Sequence, residues 1–180
     1  MSDTEILRTL FKESLFVPVN DGRVILVETG QPDSQVTICN VPDDAVCIKA
    51  DEGIDLRGFF GNTARGECKR ADYLLFSERR RCVLIIEIKR NKDLWSQVCQ
   101  QLHGASCLAS YCQKIGQTFW RDRGFLNDYQ HCFASISHTV VGTGRKQESM
   151  EASALDPLTM VKKVYHPHCL QYPKLVSMAV

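Results

Sequence analysis

The chain has 180 residues, the size of one globular domain, and we expect a single domain over residues 1–180. Apolar residues make up 44% and charged residues 24%, which excludes a disordered chain, a fibrous repeat and a coiled coil. The longest uncharged apolar run, Cys82–Ile86, is too short for a membrane span, and no secretory signal is visible. We therefore expect a cytoplasmic protein that does not associate with membranes.

The predicted elements run from a first helix through several strands to a long helix. Apolar residues at helical spacing predict a helix over residues 4–16, with Ser2 or Thr4 as its N-cap. Residues 51–68 are rich in glycine and predict a loop, and residues 142–149 predict a polar loop. Segments rich in β-branched residues predict strands over residues 23–28, 36–41, 45–49, 71–76, 82–90, 132–141 and 159–165.

The long helix is predicted over residues 93–115. Asp93 is its expected N-cap and Gly116 its expected C-terminal stop. No repeat, low-complexity segment or linker divides the chain. The order of elements therefore predicts an α/β fold with a single mixed sheet.

The nine cysteines are expected to be reduced, because the count is odd and no CxxC pair or export signal is present. Small buried hydrophobic residues are the simplest interpretation of them. A zinc site built from Cys107, Cys112, His166, His168 and Cys169 is the alternative. It is disfavoured because structural zinc sites usually contain a closely spaced cysteine pair.

Charged residues near the end of a buried strand give the strongest functional signal. The strand over residues 82–90 is apolar on both faces, which is typical of a central, buried strand. Glu87 and Lys89 share one face of it. If Phe76 and Val83 close the preceding hairpin, Asp72 lies opposite Glu87. Unpaired buried charge costs several kcal/mol, so these residues need a partner.

Two interpretations of this cluster remain open from the residues alone. A divalent cation would remove the repulsion between Asp72 and Glu87, because such ions bind hard oxygen ligands. A buried ion pair between Lys89 and one of the acids, with no chemistry, is the alternative.

The pattern of Asp72 followed by Glu87, Ile88 and Lys89 on successive antiparallel strands resembles the PD-(D/E)xK nuclease superfamily. The segments RADYLLF and IIEIK are similar to the family's second and third core strands, and QQL at residues 100–102 is similar to a glutamine motif on its next helix. The element order resembles the restriction-endonuclease-like αβββαβ core, with extra N-terminal strands.

Two features depart from the family pattern. Ala71 stands where the family commonly has a proline. The further acid that many members supply upstream is left open between Glu13 and Glu52, with Glu67 a weaker choice.

The resemblance implies a Mg²⁺- or Mn²⁺-dependent nuclease acting on DNA or RNA. Asp72, Glu87 and the backbone carbonyl of Ile88 would hold the metal. Lys89 would orient the attacking water and stabilise the transition state. Gln101 would position water or a ligand from the long helix, and Gln97 is the second choice for that role.

The distribution of charge agrees with a nucleic-acid partner. The net charge is only +1, but residues 57–92 carry ten Lys or Arg against four Asp or Glu. Such a basic segment attracts phosphates. The residues expected to contact the nucleic-acid backbone are Arg65, Lys69, Arg70, Arg79, Arg80 and Arg81.

A non-catalytic module of the same fold, binding nucleic acid or protein, is the alternative function. A chain of this length has little beyond the core for target recognition. A homodimer or a partner subunit would then supply it.

Overall fold

Two β-sheets and three α-helices make up the described part of the protein. The structure is a computed structural model, and it describes residues 1–28, 31–61, 63–89, 94–137, 148–152, 160–165 and 169–177. The helices are α1 (Asp3–Leu10), α2 (Trp95–Phe119) and α3 (Tyr172–Val176). The strands are β1 (Phe16–Val17), β2 (Val19–Asn20), β3 (Arg23–Glu28), β4 (Gln31–Cys39), β5 (Val46–Lys49), β6 (Tyr73–Ser77), β7 (Cys82–Lys89), β8 (Gln130–Ser137), β9 (Glu148–Ala152), β10 (Met160–Tyr165) and β11 (Leu170–Gln171).

The larger sheet has the strand order β1-β5-β6-β7-β8-β10-β9. Strands β5, β6 and β7 form an antiparallel meander, whereas β8 is parallel to β7 and to β10. A parallel connection needs a crossover, and α2 supplies it between β7 and β8. The prediction that β7 is central and buried is confirmed, because Leu84 and Ile86 enter one apolar core while Val83 and Ile85 enter the other.

The smaller sheet corrects the expectation of a single sheet. Its order is β11-β4-β3-β2. Strand β3 buries Val24 and Leu26 and exposes Ile25 between them, so only one of its faces is available for a core. That face packs against the side of the larger sheet that carries Leu84, opposite α2. The protein is therefore a mixed α/β fold with two mixed sheets.

The C-terminal ends of both predicted helices differ from their predicted positions. Helix α1 is capped by Ser2, as predicted, but ends at Leu10. Helix α2 continues past Gly116 to Phe119, so this glycine does not end the helix. It allows close packing instead, because a Cβ at this position would lie 2.1 Å from Phe125. Asp93, the predicted N-cap of α2, lies outside the described residues, as do residues 142–147 of the predicted polar loop. None of the described helices is long and apolar enough to cross a bilayer.

A disulfide between Cys39 and Cys169 corrects the expectation that every cysteine is reduced. Strand β11 pairs with β4, with Gln171 opposite Cys39, and this brings together two cysteines 130 residues apart in sequence. The zinc alternative loses Cys169 to this bond, and His166 and His168 lie outside the described residues. The expectation of buried thiols is confirmed for Cys47, Cys82, Cys99, Cys112 and Cys132.

Candidate active site

The β6–β7 hairpin places two carboxylates next to each other. The predicted register is confirmed, because Phe76 pairs with Val83. The same register continued past the end of β6 brings Asp72 opposite Glu87. The backbone N–H of Ile88 donates a hydrogen bond of 2.6 Å to Oδ2 of Asp72. That bond holds the Asp72 carboxylate across the hairpin, against the strand that carries Glu87.

Both carboxylates are buried, and one lysine accompanies them. Glu87 is fully buried, and Asp72 is 9% exposed. Nζ of Lys89 lies 2.6 Å from Oε1 of Glu87. Neither Glu87 oxygen accepts a hydrogen bond of normal geometry from any residue of the described chain. Among the described residues, Lys89 is therefore a cation in contact with this acid pair, through Glu87.

Burial raises the pKa of both carboxyl groups. Loss of water raises the pKa of Glu87, the nearby Asp72 charge raises it further, and Lys89 opposes both effects. Loss of water also raises the pKa of Asp72, against the opposing hydrogen bond from Ile88. The protein alone thus favours a protonated pair, and a further positive charge is needed before both acids ionise readily.

Asp51 is an acid of this site that the sequence analysis did not identify. The N–H of Ala50 donates to the backbone carbonyl of Asp72 at 2.7 Å, so the chain leaving β5 runs beside Asp72. The negative charge of Asp51 raises the pKa of Asp72. Of the acids considered upstream, Glu52 is ion-paired with Lys49 at 3.0 Å. No sequence pattern indicates that β5 pairs with β6, so nothing in the sequence identified Asp51.

The remaining upstream candidates lie on exposed turns. Glu13 begins a short 3₁₀ segment, Glu13–Leu15, and is exposed. The carboxylate of Glu67 accepts hydrogen bonds from the backbone N–H and the hydroxyl of Thr63 at 2.7 and 2.9 Å.

An open cleft of about 480 Å³ lies beside Lys89 and Asp51, whereas the side chains of Asp72 and Glu87 do not line it. Lys89 lines it from the sheet and Asp51 lines it from the loop after β5. Gln97 and Gln101, which are one helical turn apart on α2, line it from the other side. Both glutamines selected from the sequence are thus on the same side of the helix as the cleft.

Lys69 and Arg70, two of the basic residues selected from the sequence, also line this cleft. Nζ of Lys69 donates to the Gln100 side chain at 2.8 Å. The Arg70 guanidinium donates to the backbone carbonyls of Ala50 at 2.7 Å and Ile54 at 2.6 Å. Arg70 therefore holds the loop after β5 in place. Its predicted contact with nucleic acid would have to coexist with that structural role.

Residues 79–81 lie at the other end of the hairpin. Six residues of strand separate Arg81 from Glu87, which corresponds to roughly 20 Å. Arg81 packs over the ring of Tyr129, with its guanidinium carbon 5.7 Å from the ring centre, and donates to the carbonyl of Asn127. Arg79 and Arg80 are exposed, and so is Arg65 on the loop that precedes β6.

Replacing Arg79 and Arg80 together with alanine is expected to weaken nucleic-acid binding and to reduce its salt dependence, since each phosphate contact releases counterions. Arg81 stays unchanged in this variant because it packs against Tyr129. Fluorescence anisotropy titrations of labelled DNA and RNA over a series of salt concentrations measure both effects. Wild-type affinity at low salt combined with lost turnover would contradict this assignment.

Comparison of the chain with protein-family models, with curated proteins and with solved structures gives no match. Within the described ranges, no group of three or more His, Cys, Asp or Glu side chains is arranged to hold a metal ion. The local geometry of Asp72, Glu87 and Lys89, together with the cleft that Lys89 lines, therefore carries the functional assignment.

Proposed function

We propose that the protein is a metal-dependent nuclease that hydrolyses phosphodiester bonds in nucleic acid. The observation that carries this proposal is the pair of buried carboxylates, Asp72 and Glu87, with Lys89 in contact with Glu87 and lining an open cleft. Two adjacent buried acids destabilise a fold when both are ionised, so packing alone gives no reason for them.

The order of elements around the site supports a restriction-endonuclease-like core. Strands β5, β6 and β7 form the antiparallel meander, α2 crosses over, and β8 returns parallel to β7. Helix α1 packs through Ile6 and Leu7 on the same side of the sheet as α2. In this interpretation, the smaller sheet is an addition to the opposite side of that core.

The residues at the site fit Mg²⁺ or Mn²⁺. Carboxylate oxygens are hard ligands, and both oxygens of Glu87 lack normal hydrogen bonds from the described residues. The carbonyl of Ile88 faces the same side of β7 as its N–H, which reaches Asp72. The charge of Asp51 acts on Asp72, but the three acids are not grouped closely enough in the described residues to form a metal site by themselves. A site with so few protein ligands suits Mg²⁺, which usually keeps several of its waters.

A bound divalent cation would polarise the phosphate and lower the pKa of the attacking water. The ammonium of Lys89 reaches the cleft from the end of β7, where it would donate to a phosphate oxygen and stabilise the developing charge. Gln101 would orient the water through its side-chain amide. Lys69 and Arg57, which line the same cleft, would bind the flanking phosphates.

Metal binding is expected to strengthen as the pH rises through neutrality. Burial raises the pKa of Asp72 to about 7 and that of Glu87 to about 8, and ligation requires both acids to lose their protons. The metal-free protein follows the opposite trend. Its folded state holds these protons more tightly than the unfolded state. The free energy of unfolding therefore decreases as the pH rises from the usual carboxyl pKa of about 4 to the raised pKa values.

Thermal melts in EDTA and in Mn²⁺, at about pH 6 and about pH 9, test both trends. The increase in Tm produced by Mn²⁺ should be small at the lower pH and large at the higher pH. An increase of the same size at both values would contradict this prediction.

A non-catalytic binding module of the same fold is the second candidate, and one observation favours it. The 2.6 Å contact between Lys89 and Glu87 is the ion pair expected if these residues only stabilise each other. In that case the cleft would bind nucleic acid or a protein partner without cleaving anything.

A cleavage screen separates the two candidates. Purified protein is incubated with labelled single- and double-stranded DNA and RNA, in Mn²⁺ and in EDTA. Cleavage that needs Mn²⁺ and is lost in the Asp72→Asn variant supports the nuclease. Binding without cleavage of any substrate, with every divalent metal, identifies the module.

A further inference from the structure

Two exposed aromatic side chains lie next to the candidate active-site cleft. Phe59 is 81% exposed and Phe60 is 46% exposed. Their rings meet edge to face, with centres 4.9 Å apart. Neither ring belongs to the two apolar cores of the described chain, so folding does not account for their presence. Exposed aromatic residues grouped in this way commonly mark a binding surface.

The segment that carries the two rings is held in place. The N–H groups of Phe59 and Phe60 both donate to the carbonyl of Leu56, at 3.1 and 2.7 Å. The thiol of Cys68 contacts the same carbonyl at 3.6 Å. On the N-terminal side, the Asp55 carboxylate caps the 3₁₀ segment Leu56–Gly58. The aromatic pair is therefore presented on an organised turn.

The same turn forms part of the cleft wall. Leu56 and Arg57 line the cleft, and Phe59 follows Arg57 by two residues. Two residues span at most about 7 Å between Cα atoms. Bases in a stacked strand repeat every 3.4 Å or so. If one phosphate of a nucleic-acid strand lies in the cleft, a base within a few nucleotides of that phosphate would thus lie beside Phe59.

Basic side chains accompany the aromatic pair, although residues 51–70 carry four Lys or Arg and four Asp or Glu. Arg57 and Arg65 are exposed on the same loop. The charge of Glu52 is balanced by a lysine on β5, whereas Glu67 keeps its charge while it accepts hydrogen bonds from Thr63. Basic side chains beside aromatic rings are the usual composition of a surface that binds single strands.

We infer that Phe59 and Phe60 form a base-stacking platform and that the substrate is single-stranded nucleic acid. This inference rests on the proposed nuclease function, whose substrate class it specifies. The bases of a duplex already stack on each other, whereas an unpaired base offers its face to an aromatic ring. Extracting a base from a duplex adds an unstacking cost.

Fluorescence anisotropy in EDTA tests the platform without any contribution from cleavage. The probes are fluorescein-labelled oligo(dT) and the same strand annealed to oligo(dA). We expect the single strand to bind more tightly than the duplex. The double variant Phe59→Ala, Phe60→Ala should lose about 5- to 140-fold in affinity for the single strand per stacked base, with little change for the duplex.

Two control variants show whether the effect is stacking and whether it is local. Replacing both phenylalanines with leucine keeps apolar surface but removes the ring faces, so this variant should bind as weakly as the alanine variant. Phe119→Ala removes a ring that is 75% exposed at the far end of α2, roughly 27 Å along the helix from Gln101, and should bind normally. Thermal melts should show no loss of stability in any of the three, because the altered rings lie outside both cores.

Three results would overturn the inference. They are no binding of oligo(dT) by the wild type, wild-type affinity for it in the alanine variant, and wild-type affinity in the leucine variant. A change from dimer to monomer in the alanine variant with unchanged affinity for oligo(dT) would assign the pair to a second copy of the chain. The proposed nuclease fails separately, if the wild type binds oligo(dT) through these rings but cleaves nothing.

Discussion

Replacing Lys89 with alanine is expected to lower turnover by on the order of 10²-fold or more while metal binding persists. The ammonium lines the cleft and would act on the phosphate or the attacking water, but as a cation it cannot ligate a metal. Loss of the Lys89 charge raises the pKa of Glu87 further, so Glu87 ionises only at higher pH. Mn²⁺ binding is therefore measured by calorimetry well above neutral pH. A nuclease assay on the same preparation measures turnover.

The same variant tests the structural alternative. Glu87 is fully buried and Lys89 lies 2.6 Å from it, so a purely structural pair would lose about 3–5 kcal/mol of stability when the lysine is removed. Lys49→Ala is the matched control, because Lys49 forms an ion pair of 3.0 Å with Glu52 in which both side chains are partly exposed. That control should change neither turnover nor Tm appreciably. An unstable Lys89→Ala protein that keeps its specific activity would contradict the catalytic assignment.

Asp72→Asn is expected to abolish Mn²⁺ binding with little loss of stability. The asparagine oxygen can still accept the N–H of Ile88, so the hairpin contact survives. Removing one of two adjacent buried charges also relieves the repulsion that raises the pKa of Glu87. Calorimetric titration with Mn²⁺ measures the binding, and a thermal melt measures the stability.

A second variant controls for charge near the cleft. Asp55 lines the cleft on its exposed rim and caps the turn that follows. Asp55→Asn makes the same charge change and retains a capping oxygen, so its Mn²⁺ affinity should stay close to that of the wild type. Equal Mn²⁺ affinity in Asp72→Asn and the wild type would contradict the metal assignment.

The hairpin and the helix that frame the candidate site could be predicted from residue patterns alone. Strand β7 is apolar on both faces and follows a short polar turn, and together these features specify a central strand and its register with β6. The pairing that brings Asp72 opposite Glu87 follows from that register. Gln101 was selected from the family resemblance of QQL, with Gln97 as the second choice, and both residues line the cleft from α2 because residues one helical turn apart share a face.

Features that join distant segments could not be predicted from residue patterns. Asp51 reaches Asp72 because β5 pairs with β6, and no local pattern specifies that pairing. The bond between Cys39 and Cys169 depends on β11 adding to the edge of β4. Strands β3 and β4 form a second sheet because their single apolar face packs across the larger sheet. Local periodicity specifies which face of a segment is buried, whereas the partner that covers that face depends on how the whole chain packs.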